Sequence, residues 1–350
     1  MSLKDIDSHK LGYHPHRVGL WEATGFCFPL HIEVGITNKC NHHCVQCTLD
    51  WINHKNDSLD SDVFIKTLED AKLIGVKSIY FAGEGEPTLH KDLPLFVKTA
   101  YDLGMKVALS TNGSYLSTLE KTLPYLSWLR FSIDAGTGKT YAKIHRVSGI
   151  EFSQVLENVS KCVKIVKENN YQVQIGIQTL LMPENINEIE KLAKTVKRIG
   201  VHNFQVKPTH CHPKSSYQIV SYQYLQEDLE KNLAELNDEN FTTIVRVKSL
   251  ERLDQKRTYK ECHAFHFYCL IDACGNVTPC NIFYGDKELI FGNINQNSLY
   301  SIWKSSKKMK VINRITELQH FNCKEYRCRQ DVMNRYLQRV KYPELNDEFI

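Results

Sequence analysis

A chain of 350 residues is long enough for one large domain, or for a large domain with a smaller one attached. Its formal charge of only +4 is spread along the sequence and gives no basis for a nucleic-acid partner; the one basic run, at 304–310, falls in an amphipathic helical pattern and reads as a solvated face. No stretch is apolar for the length of a membrane span and the first residues lack an apolar signal core, so a soluble, cytoplasmic protein is expected, with no membrane partner.

Hydrophobic alternation marks strands at 31–37, 78–82, 106–110, 129–133, 172–180 and 203–207. Between them, helical periodicity marks helices near 60–73, 93–103, 116–123, 152–167 and 186–199, with a further helix at about 222–236. Six strand–helix units with short connections predict a parallel sheet covered by helices, either an open α/β sheet or a partial barrel. In such folds the catalytic groups gather at the carboxyl ends of the strands. The suggestive residues fall there. Strand one runs into Cys40, strand two into 83–87, strand three into 111–113, strand four into Ser132 and Asp134, and strand six into His210, Cys211 and His212.

After about residue 240 the alternation gives way to a strand at 243–248 and a cysteine-rich hairpin from Cys262 to Cys280. Gly292-Asn293-Ile294, a helix at 299–315, Cys323, Cys328 and one more helix follow. The expected organisation is an N-terminal extension (1–29), an α/β unit (30–240) and a small cysteine-rich α+β domain (241–350).

Twelve cysteines in a reducing compartment signal metal binding or redox chemistry rather than disulfides. Cys40-x3-Cys44-x2-Cys47 offers three thiolates in one polar loop. Four cysteines saturate a [4Fe–4S] cluster, so three leave one iron open. Zinc is the alternative, with His42 or His43 completing a tetrahedral shell.

The loop resembles the signature of the radical S-adenosylmethionine (radical SAM) enzymes. In that superfamily the open iron chelates the cofactor's methionine moiety, and one electron cleaves the sulfonium to release a hydrogen-abstracting 5′-deoxyadenosyl radical. The resemblance implies a partial (β/α)6 TIM-like barrel over about 30–210, S-adenosyl-L-methionine and a SAM-binding [4Fe–4S] cluster as cofactors, and an electron donor such as a flavodoxin or ferredoxin. Gly85-Glu86-Pro87 resembles the family's GGEP motif, with the Glu86 carboxylate suited to receive the methionine ammonium. Thr111, Asn112 and Gly113 resemble the strand-three segment near the ribose, and Ser132 and Asp134 the strand-four segment lining the cofactor. Arg146 is expected at the cofactor's carboxylate. Two positions depart from the pattern: Glu84 replaces the first glycine of the motif, and Gln46 stands where an aromatic residue commonly packs on the adenine. The 136–140 segment Gly-Thr-Gly-Lys-Thr is no phosphate loop, because Ile133 occupies the required first glycine.

Cys262, Cys269, Cys274, Cys280, Cys323 and Cys328 point to a second metal centre. A zinc ribbon is the alternative there. The frame Cys262-x12-Gly275-x4-Cys280 resembles the family's SPASM extension, and the short downstream series resembles its "twitch" form with one auxiliary [4Fe–4S] cluster. The resemblance implies Cys262, Cys280, Cys323 and Cys328 as ligands, with Cys269 and Cys274 as substitutes. Cys27 and Cys162 read as core residues.

Lys207, His210, Cys211 and His212, with Gln178, are candidate contacts to a small-molecule substrate. By analogy with the family three outcomes stand open. The auxiliary cluster takes an electron, giving a dehydrogenase; a thiol such as Cys211 or Cys274 donates a hydrogen atom, giving an epimerase; or a ribosomal peptide is modified. Only thirty-nine residues precede Cys40, too few for a peptide-binding winged-helix module, so a sugar, aminocyclitol or nucleotide sugar is expected. A non-catalytic iron–sulfur or zinc protein is the reading from another class; it leaves the Gly-Glu-Pro segment without a role.

Overall fold

The structure, a computed structural model, describes residues 9–52, 56–209, 212–219, 227–246, 249, 257–318, 328–347 and 349. His210, Cys211 and Cys323 lie outside the described residues.

Six strands run parallel and side by side in chain order: β1 (His31–Val34), β2 (Ser78–Phe81), β3 (Lys106–Thr111), β4 (Trp128–Ser132), β5 (Gln174–Leu181) and β6 (Asn203–Pro208). Alternation along each strand sorts the side chains by face. Ile32, Val34, Ile79, Phe81, Leu129, Phe131, Ile175 and Ile177 join one core with Phe64, Leu68, Phe96 and Val159 of the covering helices. Each such side chain contributes roughly 1.5–3 kcal/mol on full burial. The opposite face carries Glu33, Tyr80, Arg130, Gln178 and Lys207, so the barrel is apolar outside and polar within. The covering helices are α2 (Ser61–Leu73), α3 (Leu93–Asp102), α4 (Leu116–Thr122), α6 (Ile150–Glu168) and α7 (Ile189–Ile199).

Two helices escape the periodicity reading. One is α1 (Pro15–Thr24), which starts on proline and ends at left-handed Gly25. The other is α5 (Gly138–His145), capped by Thr137, whose hydroxyl accepts from the Thr140 amide. Thus the Gly-Thr-Gly-Lys-Thr segment builds a helix start, and Glu188 accepts from the Gly136 amide and the Thr137 and Thr140 hydroxyls. Strand one is shorter than its alternation suggests. Beyond Val34 the chain leaves the sheet at Gly35, where a Cβ would lie 2.7 Å from the Cβ of Glu84.

Strands from beyond residue 240 complete the same sheet at both edges. β7 (Thr242–Val245) pairs in parallel with β6, and α8 (Glu227–Ala234) precedes it. β8 (Tyr268–Ile271) pairs in parallel with β1 and antiparallel with β9 (Asn276–Thr278), which pairs with β10 (Gly292–Asn293). The expected helix at 299–315 is broken into α9 (Leu299–Lys304) and α10 (Ser306–Leu318). Extended Ser305 separates them, and its hydroxyl caps the second by accepting from the Lys308 amide at 3.1 Å. The last helix, α11 (Asp331–Lys341), returns to α1, and Leu337 packs with Val18, Trp21 and Phe267. The result is a partial barrel with a small C-terminal addition. Among the described residues no helix is long and apolar enough to cross a membrane.

Candidate active site

The loop after β1 is stitched to three strand ends. Gly85 holds φ +60, and a Cβ there would run into the backbone carbonyl oxygens of Thr37 and Lys39. That close approach lets the Glu86 amide donate to Lys39 O at 2.7 Å. Asn112 Nδ2 donates to Asn41 Oδ1 at 2.7 Å. On the other side the His43 and Val45 amides donate to the His145 and Ile144 carbonyls. Cys40, Cys44 and Cys47 are thereby fixed between β2, β3 and the end of α5.

Burial pushes the Cys40 thiol up to about 11 and the Cys44 and Cys47 thiols upward too, and the neighbouring thiols reinforce this at Cys40 and Cys44. Three half-buried sulfurs that act on one another suit a metal cluster that takes thiolates.

Glu86 is 2% exposed. Its Oε1 accepts from the Thr88 amide (3.0 Å) and the Thr88 and Thr111 hydroxyls (2.6 Å each); among the described residues its Oε2 accepts only from the Asn112 amide, at 2.7 Å. One oxygen is saturated and the other keeps a lone pair.

Asp134 is buried at the end of β4. Oδ1 accepts from the Leu180 amide and Oδ2 from Gln46 Nε2, both at 2.6 Å. Burial holds its carboxyl up at about 6. Gln46 Oε1 is buried with no partner among the described residues. Ser132 ends β4 beside Gln178.

His145 is the residue that sequence reasoning missed. Burial, then neighbouring His42, lowers it to about 3, so the ring is neutral. Its Nε2 accepts from the Asp134 amide at 3.2 Å, which leaves the proton on Nδ1, and Nδ1 faces Cys44 Sγ at 3.2 Å. Cys44, His42 and His145 also form a donor trio of metal-binding type. His42 Nε2, however, is engaged with Glu151 Oε1 at 3.0 Å. Arg146, one residue on, is exposed at φ 53 in the left-handed region and lines a small outer pocket with Val45, Lys143, Glu184, Ser216 and Tyr217.

Glu84, at the departure from the glycine pattern, ties the barrel to the C-terminal segment. Its Oε2 accepts from the Ala273 amide at 3.0 Å, and burial raises its carboxyl to about 7. In that segment Asn334 holds Cys262 and the two residues that follow it. Nδ2 reaches Cys262 Sγ at 3.4 Å, and Oδ1 accepts from the His263 and Ala264 amides. The Gln330 amide lies 3.3 Å from Cys328 Sγ, and burial, followed by the nearby Cys328 and more weakly Cys262, pushes the Tyr259 phenol upward. Cys280 packs with Cys47 against Tyr268 and Tyr284. Cys269 is buried within β8 and Cys274 is exposed in the β8–β9 turn. Cys27 and Cys162 are buried in the core.

Residues 34–196 match the family profile of the Radical SAM superfamily, and residues 262–330 match SPASM, an iron–sulfur cluster-binding domain. The tungsten-containing aldehyde ferredoxin oxidoreductase cofactor-modifying protein of Pyrococcus furiosus is 30% identical over 49% of this chain and 49% of its own length. The S-adenosylmethionine-dependent nucleotide dehydratase of Selenomonas ruminantium is 28% identical over 45% of this chain and 58% of its own. The chain thus spans about half the length of these relatives. The crystal structure of Streptococcus suis SuiB bound to S-adenosylmethionine shares the fold, with a TM-score of 0.68 at 16% identity, covering 88% of this chain and 72% of that one.

Proposed function

The chain belongs to the radical SAM superfamily and carries a SPASM iron–sulfur cluster-binding domain, and from that premise we propose that it abstracts a hydrogen atom from a small polar substrate. The substrate is a sugar, an aminocyclitol or a nucleotide sugar, and the reaction is a dehydrogenation or an epimerisation, carried out in the cytoplasm. The relative from Selenomonas ruminantium, named as a nucleotide dehydratase, supports a small polar substrate.

One observation carries this reading. The cysteine loop is hydrogen-bonded to the ends of β2, β3 and β4 through Lys39–Glu86, Asn41–Asn112 and Gln46–Asp134. A loop that only held zinc would have no use for a carboxylate with a spare lone pair, nor for an unpartnered buried amide oxygen, at those points. Both fit a ligand rich in N–H donors.

In this assignment Cys40, Cys44 and Cys47 hold the first [4Fe–4S] cluster, and Gly85, Glu86, Thr111, Asn112, Ser132, Asp134 and Arg146 form the cofactor's cradle. Cys262, Cys280, Cys323 and Cys328 hold the auxiliary cluster of the 241–350 segment, and Cys211 is the candidate hydrogen donor. When bound, the clusters and S-adenosylmethionine supply the one-electron and hydrogen-abstracting chemistry, with an external donor such as a flavodoxin or ferredoxin. The chain's own work is to orient and to exclude water. Glu86 Oε2 offers an acceptor for an ammonium, Gln46 Oε1 an acceptor for an amino group, and the packed β2–β4 ends close the site from behind.

Anaerobic reconstitution tests the class. With reductant and S-adenosylmethionine, 5′-deoxyadenosine is expected; its absence from protein with intact clusters overturns the reading. Iron near about eight per chain supports two [4Fe–4S] clusters, and near about four only one. Turnover of an epimerase that survives Cys211→Ala removes Cys211 from the mechanism.

A further inference from the structure

The inner face of the barrel carries more cations than carboxylates: Arg130, Lys207, Arg246 and Arg329 against Glu33 and Asp134. Glu33 on β1 is fully engaged by Arg329, whose Nη2 and Nη1 donate to its two oxygens at 2.8 and 3.2 Å. Asp134 is committed to Gln46 and the Leu180 amide. Among the described residues Arg130 on β4 meets neutral partners: Gln178 Oε1 at 3.3 Å, the Tyr80 hydroxyl, and the Trp128 ring at 4.5 Å. Lys207, two strands away on β6, has no hydrogen bond or ion pair among the described residues.

These charges share one space. Burial, followed by Arg329, Arg246 and Arg130, pulls the Lys207 ammonium down to about 7, and the attraction of Asp134 offsets only part of this. Arg246 follows β7 directly, and its amide bonds to Val206 O, next to Lys207. A fold gains nothing from holding like charges together inside a half-desolvated chamber, because each raises the cost of the others. The arrangement becomes favourable when an anion enters it, since Arg and Lys then gain charge-assisted bonds at low dielectric.

We infer that the barrel interior binds an anionic group of the substrate, a phosphate or a carboxylate, between Arg130 and Lys207. This rests on the reading of the barrel as the substrate chamber, and it narrows that reading. Of the sugar, aminocyclitol and nucleotide-sugar classes, the phosphate-bearing one meets complementary charge, whereas a cationic aminocyclitol meets repulsion. Gln178, bonded to Arg130 and carried on β5 between the strands of the two cations, is placed to bond a neutral hydroxyl beside the anion.

The test is a binding measurement made without turnover. Reconstituted holoenzyme with S-adenosylmethionine is titrated calorimetrically with inorganic pyrophosphate, citrate, glucose and glucosamine. The anions are expected to bind, with affinity falling as salt rises, and Arg130→Gln and Lys207→Met each to weaken that binding about tenfold or more. Arg130→Lys is expected to retain part of it. Pyrophosphate bound ahead of citrate assigns a phosphate, and the reverse a carboxylate. Anion binding unchanged in both charge-removing variants, or glucosamine bound as well as pyrophosphate, overturns the inference. Cluster content and circular dichroism of each variant separate lost binding from lost fold. Formation of 5′-deoxyadenosine is scored separately: anion binding without it refutes the radical reading alone, and the converse refutes the anion site alone.

Discussion

Gln46 donates from Nε2 to Asp134 Oδ2 at 2.6 Å, so the residue that departs from the expected aromatic in the cysteine loop is a polar strut to the end of β4. Asp134 titrates near 6 because it is buried. Its folded pKa lies above its unfolded one, so the folded state holds more protons between about pH 4 and 6 and loses stability as pH rises through that window. In Asp134→Asn the orphan Gln46 Oε1 can turn to accept from the new amide. Urea unfolding of that variant should lack the decline, which in the native chain amounts to on the order of 2–3 kcal/mol. Parallel pH profiles for the two proteins would contradict the assignment.

His145 presents Nδ1–H to Cys44 Sγ, because its other nitrogen already accepts from the Asp134 amide. A hydrogen bond to a ligating sulfur favours the more negative, reduced cluster. Taking about 1 kcal/mol for the bond, His145→Phe should lower the first cluster's midpoint potential by on the order of 40 mV. Redox titration followed by electron paramagnetic resonance reads this directly, and an unshifted potential means that the contact is only structural.

Gly85→Ala should be severe. Its φ of +60 and the two carbonyl oxygens beside it leave no room for a Cβ. A loss of roughly 2–4 kcal/mol is expected, with reduced iron at the first cluster, since the same turn anchors the cysteine loop. Chemical denaturation and iron quantification check it; a variant with native stability would show that the turn relaxes freely.

Lys308 is 1% exposed, and its ammonium lies 4.2 Å from the Trp303 ring centre, with Phe26 and Phe291 beyond. Burial lowers it to about 8. Between pH 8 and about 10.5 the unfolded chain binds the extra proton, so stability rises with pH across that window and the penalty is full below it. Lys308→Met should stabilise the chain at pH 7 by on the order of 3 kcal/mol and flatten the rise. Thermal melts at pH 7 and pH 10 decide: a destabilised variant at pH 7 means that the aromatic contacts outweigh the desolvation.

The parts legible in the sequence are those whose chemistry is local. Three cysteines within eight residues and Gly-Glu-Pro after a strand announce themselves by spacing, and parallel strand order carries them to one end of the barrel. Illegible parts depend on contacts between distant segments. Nothing in the pattern around His145 links it to Cys44, and Arg329 sits in a segment without periodicity although it neutralises Glu33 on the first strand. Gln46 looked anomalous because its partner lies 88 residues away. The split of 299–315 was hidden too, since Ser305 breaks the helix by its backbone conformation while the apolar spacing runs on.

The pairing of β8 with β1 imposes an order on biosynthesis. During translation β1 is made first, yet one of its two edges stays bare until the ribosome has delivered Ile271. A nascent chain that has emerged through β7 therefore has β1 paired with β2 on one side and an unpaired backbone edge on the other. Transient cover by a chaperone, or stalling of productive folding until the SPASM segment leaves the exit tunnel, follows from the topology. A chain cut short before residue 268 would fail by aggregation through that edge rather than by loss of the second cluster alone.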